Sequence, residues 1–286
     1  MAVEFLSEFS INSLIWVTSL DDDEMDMTIR IVQELHAYFQ SISLEFFYYR
    51  IRNIQEFYNL LDHLEERARA GGRPMIHLDM HGNKDGLAIK RGSGCDSDIE
   101  FAPWADVVPK LQAINVASRG NLCIVAGVCY ALHAIREIHI DQPCAIHILV
   151  APEEEVYVDL LDESTVDFYM ELFSTGRIEL AHEKHLSKQL KVFYSEKLLI
   201  VSLARYVKYC CIGEGGEERK KRLFQEGMRN RADTPENRES VRVSLEAFLQ
   251  PDQALVQKYA DLFLVGRPCP FSIEDVMQLV QGADGP

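Results

Sequence analysis

The sequence lacks three features, and each absence excludes a class of protein. No apolar run approaches the ~20 residues of a membrane-spanning helix, and the amino terminus has no signal-peptide pattern. Basic residues are outnumbered, since 29 Lys and Arg against 45 Asp and Glu give a net charge of −16. A nucleic-acid surface needs clustered Lys and Arg. We therefore expect a protein that binds neither membranes nor nucleic acid.

Cysteine usage indicates the cellular compartment. The seven cysteines are an odd number and lie mostly in apolar surroundings, which favours free thiols over a disulfide framework. A reducing cytoplasm is the simplest location for such a chain. The 286 residues, 47% hydrophobic and 26% charged, are typical of a globular protein with one large core or one domain and a smaller lobe.

Short apolar runs alternate with helical patterns over the first 190 residues, which predicts an α/β fold with a mostly parallel sheet flanked by helices. We assign strands to residues 13–19, 44–49, 75–82, 122–128 and 145–150. A hairpin is expected between 86–89 and 98–101, across the loop 92–94. Beyond Leu190 the pattern becomes helical. The predicted organisation is one domain over 1–190 and a helical extension over 191–286.

Two of these runs end in a reactive side chain. Residues 75–82 read MIHLDMHG and place His81 before Gly82, whereas residues 121–130 read NLCIVAGVCY and end near Cys129. The carboxyl ends of parallel strands meet at one edge of a sheet, so His81 and Cys129 are predicted to lie close together. A Cys with a His about 50 residues upstream is the arrangement of caspase-type peptidases.

The chemistry explains why these residue types are needed. A nearby imidazole or a helix amino terminus raises the thiolate fraction of a cysteine, and we predict a helix over about 130–138 with Cys129 at its amino end. His81 would protonate the leaving amine and then activate water. The N–H of Gly82 is unobstructed by a side chain and can stabilise an oxyanion together with the N–H of Cys129.

Four motifs occur in a consistent order. They are HLDMHG at 77–82, the Gly86-Leu87 pair that opens the hairpin, Trp104-Ala105-Asp106 at the start of a helix, and VAGVCYA at 125–131. With the segment 166–181, these motifs resemble the CHAT family of caspase-like cysteine peptidases of clan CD, bacterial type, over roughly residues 13–190.

The resemblance implies a caspase-like fold and an endopeptidase with a His81/Cys129 dyad that needs no cofactor and no catalytic metal. In related peptidases the Gly after the histidine supplies an oxyanion donor, which is the role expected for Gly82. Such proteases often serve antiviral defence or regulated cell death. The implied partner is a protein substrate, such as a gasdermin or an effector released by CRISPR-linked signalling.

Two alternative functions remain open from the sequence. The first is a catalytically inactive, caspase-like binding module, because a single Cys in an apolar run is more often a core residue, as we expect for Cys123 and Cys144. Alternatively, His77, Asp79 and His81 alternate along one strand face and would suit a metal-dependent hydrolase. A thiol-reactive probe distinguishes the first alternative and metal analysis the second.

Substrate preference is predicted from an acidic loop. Residues 151–155 read APEEE after the fifth strand, at the edge where relatives form their specificity pocket. The acidic residue that precedes the cysteine in metacaspases is absent, since Ala126, Gly127 and Val128 stand there. We therefore expect a basic P1 residue, with Glu153, Glu154 and Asp159 as candidate substrate-binding residues.

Overall fold

The protein is an α/β protein organised around one mixed, mostly parallel sheet. The structure is a computed structural model and describes residues 8–90 and 99–282. The strands are β1 (Ser13–Ser19), β2 (Glu45–Arg50), β3 (Pro74–Asn83), β4 (Gly86–Lys90), β5 (Ile99–Pro103), β6 (Cys123–Gly127), β7 (Ile148–Pro152) and β8 (Leu190–Tyr194).

Helices connect and cover the strands. They are α1 (Met25–Ser41), α2 (Ile54–Arg69), α3 (Trp104–Ala117), α4 (Val158–Thr175), α5 (Ile178–Ala181), α6 (Ser195–Cys210), α7 (Gly213–Met228), α8 (Pro235–Leu249), α9 (Gln253–Phe263) and α10 (Ile273–Gly282). A 3-10 turn at Asp22–Glu24 precedes α1, and a 3-10 helix at Ala131–Glu137 follows β6. None of the helices in the described ranges combines the length and the apolar character that crossing a membrane requires.

Six strands lie side by side in the order β2-β1-β3-β6-β7-β8. The first five are parallel, and β8 runs antiparallel to β7. The hairpin of β4 and β5 continues from the end of β3, where His81 pairs with Ala88. The parallel strands therefore deliver their carboxyl ends to one edge, and the hairpin borders that edge.

The central strands are apolar because both faces of the sheet are covered. All seven residues of β1 are buried. Ile15 and Val17 pack on the face covered by α2, α3, α6, α9 and α10, whereas Leu14 and Trp16 pack on the face covered by α1, α4 and α5. This alternation follows from the two-residue period of a strand.

The structure confirms the predicted fold class and adds one strand. β8 was not predicted, and the expected domain boundary after Leu190 coincides with its first residue. The C-terminal helices α6, α9 and α10 contribute Leu203, Phe263 and Val276 to the same buried cluster as Ile15. They therefore share a core with the sheet.

Three local predictions can be compared with the structure. The hairpin forms as β4 and β5, and its loop 92–94 lies outside the described residues. The last predicted strand begins at Ile148 rather than at residue 145. The helix expected over 130–138 is a seven-residue 3-10 helix that begins at Ala131. The expectation that a helix dipole helps to hold a Cys129 thiolate stays a prediction, and the helix that follows Cys129 is 3-10 rather than α.

Candidate active site

His81 and Cys129 leave neighbouring strands at the same level. Asp79 of β3 is paired with Gly127 of β6, and each reactive residue follows two positions after that pair. The two segments remain adjacent beyond that pair, because a Cβ built on Gly82 would lie 3.4 Å from the carbonyl oxygen of Cys129. The register of the sheet thus brings the end of β3, which carries His81, next to the turn that carries Cys129.

Cys129 is held in a tight turn. The N–H of Ala131 donates to the carbonyl of Val128 over 3.2 Å, and the N–H of Tyr130 donates to the carbonyl of Glu154 over 2.9 Å. Tyr130 adopts a left-handed conformation with φ 61°. Such a conformation is uncommon for a bulky residue, although Ser43, Arg119 and Val265 also have a positive φ. The turn ends the buried strand abruptly and leaves Cys129 partly exposed.

The environments of the cysteines differ strongly. Burial raises the pKa of the Cys123 thiol well above its usual range and raises that of Cys144 to about 12. Both thiols lie in the core, as predicted from the sequence. A buried neutral thiol is a poor nucleophile, because the thiolate is the reactive form. Among these three cysteines, only Cys129 is partly exposed, and it lies just beyond the end of β6.

His81 is contacted by Glu24 of the 3-10 turn that precedes α1. Its Nε2 lies 2.8 Å from Oε1 of Glu24, and 48% of its side chain is exposed. The other carboxylate oxygen of Glu24 accepts from Nζ of Lys90 over 2.9 Å and from the N–H of Asp21 over 3.0 Å. Lys90 also contacts Oδ2 of Asp21 over 2.7 Å.

The charge state of Glu24 follows from these contacts. Burial alone would raise its pKa, but the hydrogen bonds from Lys90, the Asp21 N–H and His81 together lower the pKa to about 2. Glu24 is therefore a carboxylate at neutral pH. Sequence reasoning missed Glu24 and Lys90 as site residues. A signal was present, because the acidic residues 21–24 directly follow the carboxyl end of β1.

The residues considered for a metal site are engaged elsewhere. Nδ1 of His77 lies 2.8 Å from the hydroxyl of Tyr169, and its ring stacks on Trp16 at a centroid distance of 3.6 Å. Asp79 accepts a 2.6 Å hydrogen bond from Oγ1 of Thr28. In the part of the chain that the structure describes, no group of three or more His, Cys, Asp or Glu side chains could hold a metal ion.

A groove of about 840 Å³ borders the Cys129 turn through Tyr130, and its lining does not include Cys129 or His81. Its lining is rich in charge of both signs and consists of Lys84, Tyr130, His133, Arg136, Glu153, Glu154, Glu155, Tyr157, Lys188, Gln189 and Lys191. Two of the three predicted substrate-binding residues, Glu153 and Glu154, are in this set. The side chain of the third, Asp159, lies outside the described residues, although its backbone is the second residue of α4.

The acidic residues of the groove differ in their partners. Glu153 forms an ion pair with Lys191 of β8, which lowers the pKa of the carboxyl group. The hydroxyl of Tyr130 donates to Glu155 over 3.5 Å. Within 8–90 and 99–282, neither Glu154 nor Glu155 has an ion pair, and the Glu154 carboxylate lacks the hydrogen bond that Glu155 accepts from Tyr130, so Glu154 is the less engaged of the two.

Comparison with known proteins identifies no family. No protein-family model matches the chain, and no curated protein matches it in sequence. The likeness to CHAT peptidases therefore stays a prediction from the four motifs and their order.

Proposed function

We propose that this protein is a cysteine endopeptidase that uses Cys129 as the nucleophile and His81 as the general acid and base. One observation carries the proposal: the two residues leave adjacent parallel strands in register, at an edge bordered by a groove of peptide size. Neither residue is needed for the core, since both are partly exposed.

The proposed reaction has two steps. The Cys129 thiolate attacks the peptide carbonyl carbon and forms a C–S bond, while His81 gives a proton to the leaving amine as the C–N bond breaks. Water then attacks the acyl-enzyme and His81 takes a proton from it. The product carboxylate is released, and the Cys129 thiolate is regenerated. The backbone N–H groups of Gly82 and Cys129 are the proposed oxyanion donors.

Substrate choice is assigned to the groove. Glu154 is the favoured partner for a basic P1 side chain, because Glu153 is paired with Lys191. Arg would form a bidentate, charge-assisted pair with a carboxylate, and Asp would be repelled. The proposed substrate is a protein, such as a gasdermin or an effector controlled by CRISPR-linked signalling, within cytoplasmic antiviral defence or regulated cell death.

Alkylation of the intact protein followed by peptide mapping tests the proposal without knowledge of the substrate. Iodoacetamide should label Cys129 first at neutral pH, and His81→Ala should slow that labelling. Cys129→Ala and His81→Ala should each abolish cleavage of a fluorogenic peptide library, whereas Cys123→Ala should retain it. Equal cleavage by wild type and Cys129→Ala would refute the peptidase.

The alternative of an inactive binding module gives a different result in the same experiment. The mixed charges of the groove also suit the binding of an extended peptide without cleavage. A module of that kind would bind peptides in the groove, and its Cys129 would react no faster than an ordinary exposed thiol. Labelling rate and cleavage together therefore separate the two functions.

A further inference from the structure

The two carboxylate oxygens of Glu24 contact different groups. Oε2 accepts from the Asp21 N–H and from Lys90, which fixes the group to its own turn and to strand β4. Oε1 is directed at Nε2 of His81 over 2.8 Å. A residue that merely capped the turn would need only the first set of contacts. The second oxygen reaches a residue on a different strand.

We infer that Glu24 is a positioning residue that orients the His81 imidazole and stabilises its protonated form, so that the ring can hold Cys129 as a thiolate. This inference rests on the proposed function. The hydrogen bond to Nε2 leaves Nδ1 as the ring nitrogen for the thiol and the leaving group. A carboxylate in this position selects one tautomer and one ring orientation, as orienting groups do in other nucleophile–base pairs.

The turn that carries Glu24 is anchored from three directions. Lys90 of β4 contacts Asp21 over 2.7 Å, and Arg50 of β2 contacts Asp22 over 2.5 Å. Thr28, one turn into α1, donates to the buried Asp79 of β3 over 2.6 Å. A carboxylate held by such a frame needs little reorganisation when the imidazole becomes charged, which is the condition for a functional orienting group.

The charged groups around Glu24 favour its ionised form. Lys90 and His81 face it with positive or potentially positive charge, and Asp21 is compensated by Lys90. Asp79 lies on the same strand face as His81, but it is buried and its Oδ2 accepts from Thr28 and Trp16 rather than from the imidazole. Glu24 is the carboxylate that contacts His81 directly.

The chain offers a matched control for this role. Asp21 and Glu24 both accept a hydrogen bond from Lys90, but only Glu24 contacts His81. Glu24→Gln and Asp21→Asn each remove one negative charge and keep the side-chain shape. A purely electrostatic or structural role of the turn would make the two variants behave alike. A positioning role predicts that only Glu24→Gln affects the thiol.

The experiment measures the rate of Cys129 alkylation by iodoacetamide against pH in the full chain, with thermal melting as the folding check. Glu24→Gln should slow alkylation at neutral pH by at least about tenfold and move the acidic limb of the profile to higher pH. Asp21→Asn should stay within about threefold of wild type. Glu24→Ala should partly recover when formate is added, because a small carboxylate can occupy the vacated position.

A second measurement reads the hydrogen bond directly. The ¹⁵N shifts of His81 are assigned by comparison with His81→Ala. They should show a proton on Nε2 in the wild type, and this proton should be lost from Nε2 in Glu24→Gln when the imidazole is neutral. If His81→Ala slows alkylation but Glu24→Gln behaves like Asp21→Asn in both measurements, the inference on Glu24 is overturned and the peptidase stands. If His81→Ala has no effect on alkylation, both are overturned.

Discussion

Gly82 lies against the turn that carries Cys129. A Cβ at position 82 would lie 2.5 Å from Cγ1 of Val128, closer than real Cβ atoms approach a neighbour, and 3.4 Å from the carbonyl oxygen of Cys129. The absence of a side chain at this position is therefore required by the approach of β3 to the thiol turn.

Gly82→Ala should consequently push the end of β3 away from Val128. We expect a loss of about 1–3 kcal/mol in the free energy of unfolding, as for other overpacked sites, and at least tenfold slower peptide cleavage. Urea titration and a fluorogenic assay measure the two effects. The double variant Gly82→Ala/Val128→Ala removes the obstructing methyl groups and should recover most activity. Failure of the double variant to recover would show that the clash is not the cause.

Replacing single charged residues of the groove should change the P1 preference. Lys191 competes with a basic substrate for Glu153, so Lys191→Met should raise kcat/KM for P1 Arg by about two- to fivefold, the scale of an exposed ion pair. Lys188→Met is the control, because Lys188 lines the same groove and has no ion pair in the described part of the chain. A fluorogenic library varied at P1 provides the readout.

Glu154→Gln should reduce cleavage after Arg more than Glu155→Gln does, since Glu155 is already bonded to Tyr130. The expected loss for Glu154→Gln is about tenfold, as for removal of one charged hydrogen-bond partner. Cleavage after neutral P1 residues should change little in both variants. A wild-type preference for Asp or Leu would contradict the basic P1 assignment.

Two buried histidines predict loss of stability in mild acid. Burial lowers the pKa of His77 and of His147 from 6.5 to about 3. Between these values the unfolded chain binds a proton that the folded chain does not, so the free energy of unfolding falls as pH decreases, by about 1.4 kcal/mol per pH unit for each histidine. Asp79, whose pKa is raised by burial, acts in the opposite direction above its ordinary value of 3.8.

Urea titrations between about pH 5 and 6.5 test this dependence. His77→Gln should have a shallower slope than wild type, because its amide can still bond Tyr169 without titrating. His36→Gln serves as control, since His36 is exposed and should leave the slope unchanged. Equal slopes in all three proteins would show that His77 is not neutral when folded.

The C-terminal helices are predicted to be essential for stability. Leu203 of α6 is fully buried against the sheet, so Leu203→Ala should cost about 2–5 kcal/mol. Tyr209 on the same helix is 65% exposed, and Tyr209→Ala should change stability by less than about 0.5 kcal/mol. A chain ending after Leu190 should fail to fold, which circular dichroism would detect. A cooperative unfolding transition in that chain would show an independent domain.

Sequence patterns predicted the central strands because burial on both faces makes them continuous apolar runs. β1 matches its predicted bounds, and His81 and Cys129 could be located as strand ends. β8 was missed because LKVFY is short and runs directly into α6. The start of β7 was placed too early because residues 145–147 are buried without being part of the strand.

The candidate site was predictable only where local sequence determines geometry. An acidic residue before a helix is adequately explained as an amino-terminal charge, so nothing local distinguishes Glu24 from Asp22 or Asp23. The contact with His81 depends on how β1 and β3 pair. The left-handed Tyr130 was equally unexpected, since bulky residues rarely adopt that conformation.

Because β8 and α10 lie late in the sequence, the fold can be completed only late in synthesis. The strands that carry His81 and Cys129 are synthesised well before β8, which completes the sheet, and before α10, which closes the face lined by Leu203 and Phe263. Until α10 is released, that face is apolar and open, the state in which partly made chains aggregate or are held by chaperones. We expect a prematurely terminated product to be cleared before it can act, which would limit the proposed peptidase activity to chains that include α10.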